Sequence, residues 1–293
     1  MNRLFALFLL AAATVFTACQ KSGPSSEELV FRSQLYLDLN GLDKAEKFAR
    51  EAVASNASDP QAWQALGTVW ARRNNADSAL AFYKKAAEAD PKFVEAQYAL
   101  SNVYIAKNDL PKALEAIRKA IELKPDSTTG YNNEGVILTQ QGNLTGATAS
   151  FQKAIEKDPK NAQAQYNLGN VFLKLNKIGD AETAFKAALK LNSNFTECYM
   201  ELATVEERKG NMAEAHNNRG LAALTTSNFA LAAQNFESSV KANANYAVGH
   251  NNLAHAYLKQ NMRDKAIEEF KVAARLGYPD AQRLLGQEGI SWK

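Results

Sequence analysis

Three histidines, His216, His250 and His255, and two cysteines, Cys19 and Cys198, are all the imidazoles and thiols in this 293-residue chain. His250 and His255 are five residues apart, which on a helix sets them on different sides. No spacing suits a metal, and no GxSxG, Walker or GxGxxG pattern occurs. The reading is therefore of a protein with no catalytic residues, no metal and no cofactor, and not of an enzyme. What the sequence does offer is amide chemistry. Asn132 and Asn133, Asn217 and Asn218, and Asn251 and Asn252 stand as adjacent pairs, with Asn102, Asn167 and Asn170 among them. Each side-chain amide is both a donor and an acceptor, so a column of them could hold the backbone of an extended peptide.

A column requires elements that repeat. From Trp63 the chain reads WQALGTVW, with Leu66, Gly67 and Trp70 three to seven residues on. That spacing makes one stripe of a helix. Ala79, Tyr83 and Ala86 make the stripe of a second helix, and Gly67 and Ala79 leave room for close approach. Asn74 stands where a left-handed stop is needed, and Pro91 ends the second helix. The frame recurs every thirty-four residues: Trp63 gives way to Gln97, Tyr131 and Gln165, and Gly67 to Ser101, Gly135 and Gly169. A weaker copy starts at residue 26. Asp59 before Pro60 reads as an N-cap followed by a first-turn proline.

These repeats in register resemble tetratricopeptide repeats (TPRs) over most of the chain. The resemblance implies an all-α, right-handed α-solenoid of antiparallel helix pairs, about seven and a half repeats with a C-terminal capping helix. Units are expected to start near 26, 60, 94, 128 and 162, with a half-unit at 196, units at 213 and 247, and a cap at 279–287. The TPR array, residues 27–293, would form one continuous core in which each unit touches its neighbours. In the family, the first helix of each unit (helix A) lines a groove with positions 2, 5, 6, 9, 12 and 13. That places Asn132, Tyr166, Asn217 and Asn251 at position 5, Asn133, Asn167, Asn218 and Asn252 at position 6, and Asn102, Asn170 and His255 at position 9. Asparagine is also common at positions 6 and 9 of ordinary TPRs, so repeat consensus and a peptide-holding ladder both account for it. The tail ARLGYPDAQRLLG resembles the junction of Sel1-like repeats.

Lys plus Arg number 34 and Asp plus Glu 31, too balanced for binding a phosphate backbone. Nucleic acid is not an expected partner, nor is a small-molecule substrate. Residues 1–18 read as a signal peptide: a short positive start, then an apolar run from Leu4 to Phe16 too short to span a bilayer comfortably. The sequence FTAC ending at Cys19 resembles the lipobox of bacterial lipoproteins, with Phe16 where Leu or Val is usual. That resemblance implies lipidation of Cys19 with fatty acyl chains such as palmitate. It also implies a tether over 19–26 and a lipid-anchored, periplasm-facing protein, at the outer membrane before the inner. An ordinary cleaved signal with an incidental cysteine is the other reading. Cys198 is left without a partner and reads as a small filler on a helix. The whole resembles TPR lipoproteins that serve pilus, secretion or outer-membrane assembly: an adaptor whose partner is a protein or extended peptide. Delivery of substrates to an envelope protease or cell-wall enzyme is the alternative.

The frame breaks at 196. Its helix A is complete, but a fresh frame starts seventeen residues later, at 213. Residues 212–226 then serve twice, as helix B of one unit and helix A of the next. The double role sets Glu206 opposite Arg219 where apolar side chains usually meet. An ion pair between them is expected, because unpaired charge at a helix interface costs several kcal/mol.

Cys19→Ser tests the anchor. It should abolish labelling by a fatty-acid analogue and move the protein to the soluble fraction; unchanged membrane association would sink the lipoprotein reading.

Overall fold

A computed structural model describes residues 23–292. Every regular element among the described residues is a helix, and the helices form two units, one ending at Lys124 and one beginning at Pro125. The first holds α1 (Ser26–Asp38), α2 (Leu42–Ser55), α3 (Pro60–Arg72), α4 (Ala76–Ala89), α5 (Val94–Ala106) and α6 (Leu110–Leu123). The second holds α7 (Thr128–Gln140), α8 (Leu144–Lys157), α9 (Ala162–Lys174), α10 (Ile178–Leu191) and α11 (Thr196–Lys209). It continues through α12 (Met212–Thr225), α13 (Phe229–Ala242), α14 (Ala247–Lys259), α15 (Arg263–Arg275) and α16 (Pro279–Gln287). The expected helix pairs, the half-unit and the short last helix are all present. The lipidation site and the signal lie outside the described residues. No described helix is long and apolar enough to cross a membrane.

Punctuation follows the sequence. Asp59 accepts from the Gln61 amide and Pro60 takes the first turn of α3. Asn75, Asp109, Ser127, Asn143, Asn161 and Asn228 cap other helices through their side chains, each cap worth ~1 kcal/mol against alanine. Between paired helices the chain turns through one left-handed residue. Asn40, Asn74, Asn108, Asn176 and Asn261 have φ between 56° and 61°, a conformation Asn tolerates better than other side chains.

Each pair closes on one contact. A Cβ added to Gly67 would lie 2.4 Å from the Tyr83 ring, and one on Gly135 2.7 Å from Phe151. Gly169 faces Phe185 and Gly220 faces Phe236 in the same way. Phe151, Phe185, Phe236 and Phe270 are fully buried.

The half-repeat is where expectation and structure part. α12 does serve twice. It runs antiparallel to α11, with Thr196 Oγ1 of the first 2.5 Å from Thr225 Oγ1 at the end of the second. It also packs on α13, which fills the space over Gly220 with Phe236 and sends the Ser239 hydroxyl to the Ala213 carbonyl at 2.6 Å. But Glu206 and Arg219 do not pair. Glu206 is buried, 2% exposed, and is met by Lys209 at 3.1 Å and by the Asn211 amide at 2.7 Å. Gly210, at φ 81°, turns the chain so that Asn211 comes back over α11. Arg219 reaches Glu207 instead, at 2.5 Å. The pairing expected across the hairpin is pre-empted by a lysine on the next turn of the same helix.

His250, also buried, sits between two acceptors: the Glu269 carboxylate 2.6 Å from Nδ1 and the Ala244 carbonyl 3.0 Å from Nε2. Burial opposes protonation of the ring, but these two acceptors outweigh it and hold the histidine above its ordinary value. A raised folded-state value stabilises fully below the unfolded value, ~6.5, and that stability is lost as pH rises through the folded value. His255 is pushed the other way by burial and Lys259, so the two must be separated by mutation. The urea midpoint of the wild type is expected to fall between pH 6 and 8 relative to that of His250→Gln. Parallel pH profiles would show that the ring is neutral in the fold.

Candidate functional site

Helix A of each unit carries the expected groove positions, and three of them, Asn102, Asn167 and Asn170, line cavities between successive A helices. In the C-terminal unit a cavity of about 490 Å³ opens along α7, α9 and α11. Its floor is Phe151, with Val136 and Leu173 beside it. Around the mouth stand Thr139, Gln140, Asn167, Asn170, Lys174 and Glu201. In the N-terminal unit a cavity of about 480 Å³ has the same construction, with Tyr83 as its floor and Ala71, Ala99 and Asn102 on its walls. There the walls are mostly alanine.

The amides of the C-terminal unit do not all face outward. Asn167 Nδ2 donates to Asn132 Oδ1 at 3.0 Å, and Asn252 Nδ2 donates to Asn217 Oδ1 at 2.8 Å. Asn167 Oδ1 in turn accepts from Gln163 at 3.0 Å. Position 6 of one unit thus holds position 5 of the unit before, thirty-five residues back. These four amides first join neighbouring units and only then face the groove. Asn102, Asn133 and Asn218 make no side-chain hydrogen bond among the described residues, and Asn102 is exposed. Tyr166 lies against Phe195 and Phe185, with ring centres 4.7 and 5.8 Å away. Burial raises its hydroxyl, and a hydrogen bond with Asn170 works against that rise. His255 stands edge-on to Phe270 at 5.0 Å.

Asn251 is buried and its Oδ1 has no hydrogen-bond partner. The reason lies in the shorter connection before α16. Ala281 and Leu285, both fully buried, take the places that Gly249 and Leu253 hold in α14. Position 6 of the cap is therefore Leu284. The bonding pattern asks for an amide there, and a leucine cannot donate.

Lys174 and Glu201 were not among the expected site residues. Both line the cavity, and neither has an ion-pair partner among the described residues. Positions 12 and 13 of the frame point to Thr139, Leu173 and Lys174, whereas Glu201 sits at position 6 in place of the asparagine of its neighbours. Cys198 is buried, donates to the Phe185 carbonyl at 3.3 Å, and burial pushes its thiol up to about 12. It is the filler expected, since the thiolate is the reactive form. Among the described residues no His, Cys, Asp and Glu gather as a metal site would require.

Models of the tetratricopeptide repeat match residues 32–92, 71–132, 162–195 and 247–276, and a model described as TPR repeat matches 135–176. The chain is a TPR protein. The unmatched interval 196–246 contains the half-repeat, where the frame slips. No curated protein matches the chain. Among solved structures it is similar to MamA, with 25% identity and a TM-score of 0.52 over 56% of this chain and 96% of that one. MamA from Desulfovibrio magneticus RS-1 is similar at 18% identity and TM-score 0.52, over 58% of this chain and 96% of that one. A thermophilic TPR protein of Thermus thermophilus is similar at 18% and 0.50, over 61% and 98%. The last two likenesses show the fold. TPR repeats make the chain an interaction protein, with proteins or peptides as its partners.

The orphaned Asn251 gives a stability test. Leu284→Asn should retain ~1 kcal/mol more stability than Leu284→Ala, the net value of one hydrogen bond. In an Asn251→Ala background that difference should vanish. Equal losses in both backgrounds would show that the amide of residue 284 does not reach Asn251.

Proposed function

We propose that the chain is a non-enzymatic adaptor that holds an extended segment of a partner protein along α7, α9 and α11. One observation carries this reading: a cavity with an apolar floor opens on that face, and two unpaired opposite charges, Lys174 and Glu201, stand at its mouth. Lys174 is exposed and Glu201 half-buried, so both can meet a ligand, and complementary charge on that ligand would steer and select it. Asn133 and Asn170 supply amides for the ligand's backbone, and Phe151, Val136 and Leu173 receive one of its side chains. The occupant is accordingly a strand of polypeptide with an apolar side chain near a basic one, the basic group facing Glu201. Glu197, exposed on the same helix α11, favours the same choice.

The TPR repeats support the protein-binding part of this reading. The N-terminal sequence supports the other part, a lipid anchor at Cys19 that holds the adaptor at a bacterial envelope membrane facing the periplasm. There it would bring components of an assembly, secretion or pilus machine together.

A photo-reactive residue at Thr139 tests the groove. Partner cross-links should form from that position in cells and be lost in Glu201→Gln, while the same residue at the exposed Lys186 of α10 should give none. A Glu201→Gln protein with an unchanged melting temperature and unchanged cross-links would defeat the proposal.

A further inference from the structure

The thirty-four-residue frame lets one repeat serve as a template for the next. In the repeat that starts at 60, Trp63 of α3 stacks on Phe82 of α4, with ring centres 6.2 Å apart. Lys85, three residues beyond Phe82, lies over the Trp63 ring at 4.6 Å. The repeat that starts at 128 keeps this arrangement with one ring, Lys153 lying over Tyr131 at 5.4 Å. In both, a lysine of helix B covers an aromatic ring of helix A, a favourable pairing of cation and π face.

The repeat between them departs from the plan. Thirty-four residues after Trp63, Phe82 and Lys85 stand Gln97, Ala116 and Lys119. The helix before it shrinks as well, since Ala87 of α4 stands where α2 has Val53. Both rings are gone and the lysine is kept. Where the rings would lie, a cavity of about 270 Å³ opens between α4, α5 and α6, and Gln97, Ala116, Lys119, Ala87 and Leu100 line it. Gln97 is only 4% exposed, yet its amide makes no hydrogen bond among the described residues. Its donor and its acceptor both stay available to whatever enters. Lys119 is exposed and, among the described residues, has no ion-pair partner and no ring beneath it. The repeat that starts at 162 has the same glutamine and alanine, Gln165 and Ala184, but Ala187 in place of the lysine. The kept lysine and the missing rings coincide at Gln97.

We infer that this cavity receives a tryptophan or tyrosine side chain presented by a partner protein. The incoming ring takes the place that Trp63 fills in the preceding repeat. Lys119 covers its face, and the Gln97 amide pairs with its indole N–H or phenol O–H. Ala87, Leu100 and Ala116 meet its apolar body. A leucine also fits the space, but it gives the lysine no π face and the amide no partner. An aromatic side chain with a polar edge answers all three, and such side chains are enriched at protein interfaces. The site shares no residue with the cavity over Phe151, so it is a second contact, separate from the proposed groove.

Two tripeptides, Gly-Trp-Gly and Gly-Leu-Gly, each acetylated and amidated, test this by NMR titration of the full chain. The tryptophan peptide should shift the side-chain amide of Gln97 and the methyl groups of Leu100. It should bind about tenfold more tightly than the leucine peptide, the combined effect of one cation–π contact and one hydrogen bond. Lys119→Gln should weaken it about threefold and leave the melting temperature unchanged. Gln97→Trp combined with Ala116→Phe rebuilds the rings of the preceding repeat, and should abolish the shifts while the chain stays folded. Equal affinity for the two peptides would overturn the inference, as would undiminished binding of the tryptophan peptide to either variant. A wild type that binds neither peptide would overturn it too, and greater stability of the refilled variant would then mark the cavity as a gap in packing.

Discussion

The fold depends on how closely two antiparallel helices can approach, and one pair of positions sets this in every unit. Where the facing residue of helix B is aromatic, helix A answers with glycine or alanine: Gly67 under Tyr83, Gly135 under Phe151, Gly169 under Phe185, Gly220 under Phe236. Where helix B offers less, helix A offers a little more. Ser33 lies in the register of Ala49 and Ser101 in that of Ile117, and their buried hydroxyls donate to the Ala45 and Ala113 carbonyls at 2.8 and 3.1 Å. The hydroxyl both fills space and satisfies itself on the opposing helix. A core packed at crystal-like density makes such volume trading compulsory. The A faces are left to vary because the spacing between helices is fixed from behind.

The same rule explains the half-repeat. There the large position belongs to Arg219, whose charge cannot stay under Ala203. The arginine leans out to Glu207, half-exposed, and the joint is held by Glu206 with Lys209 and Asn211 instead. The carboxylate of Glu214 approaches the same cluster. Burial, and then the Glu206 charge beside it, hold Glu214 above the usual carboxylate range. Tyr246 is pushed up to about 12 by burial, with the two acids adding to the effect. Charged side chains thus do the packing at the one place where the repeat sequence has been cut.

The helices, their caps and the left-handed stops were legible because each is fixed by residues within a few positions: Asp59 with Pro60, Asn74 after Trp70, Gly67 against Tyr83. The double role of α12 was legible for the same reason, since two overlapping frames can be read off one stretch. What the sequence did not disclose was which of several polar groups within reach would meet. Glu206 had Lys209, Asn211 and Arg219 as candidates. Only the turn at Gly210 decides among them, by returning Asn211 to α11 and leaving Lys209 on the near side. Spacing likewise put Asn132 and Asn167 in one column without showing that they bond each other.

That bond limits what the column can do. An amide that joins two units has spent a donor or an acceptor, and its side chain is fixed in a pose set by the stack. Asn132, Asn167, Asn217 and Asn252 therefore act first as inter-unit ties, which keep successive A helices at one spacing. Free donors and acceptors remain on the amides outside the ties, Asn102, Asn133 and Asn218, and on the lone pairs the ties leave over. Each tie also needs its partner unit. At the half-repeat position 6 is Glu201, and at the cap it is Leu284; neither can donate an amide, and at both places the column ends beside a cavity. Consensus packing and recognition are thus not rival accounts of these asparagines. The ties make the wall straight enough to carry a groove, and the interruptions in the ties are where the groove has chemistry to offer.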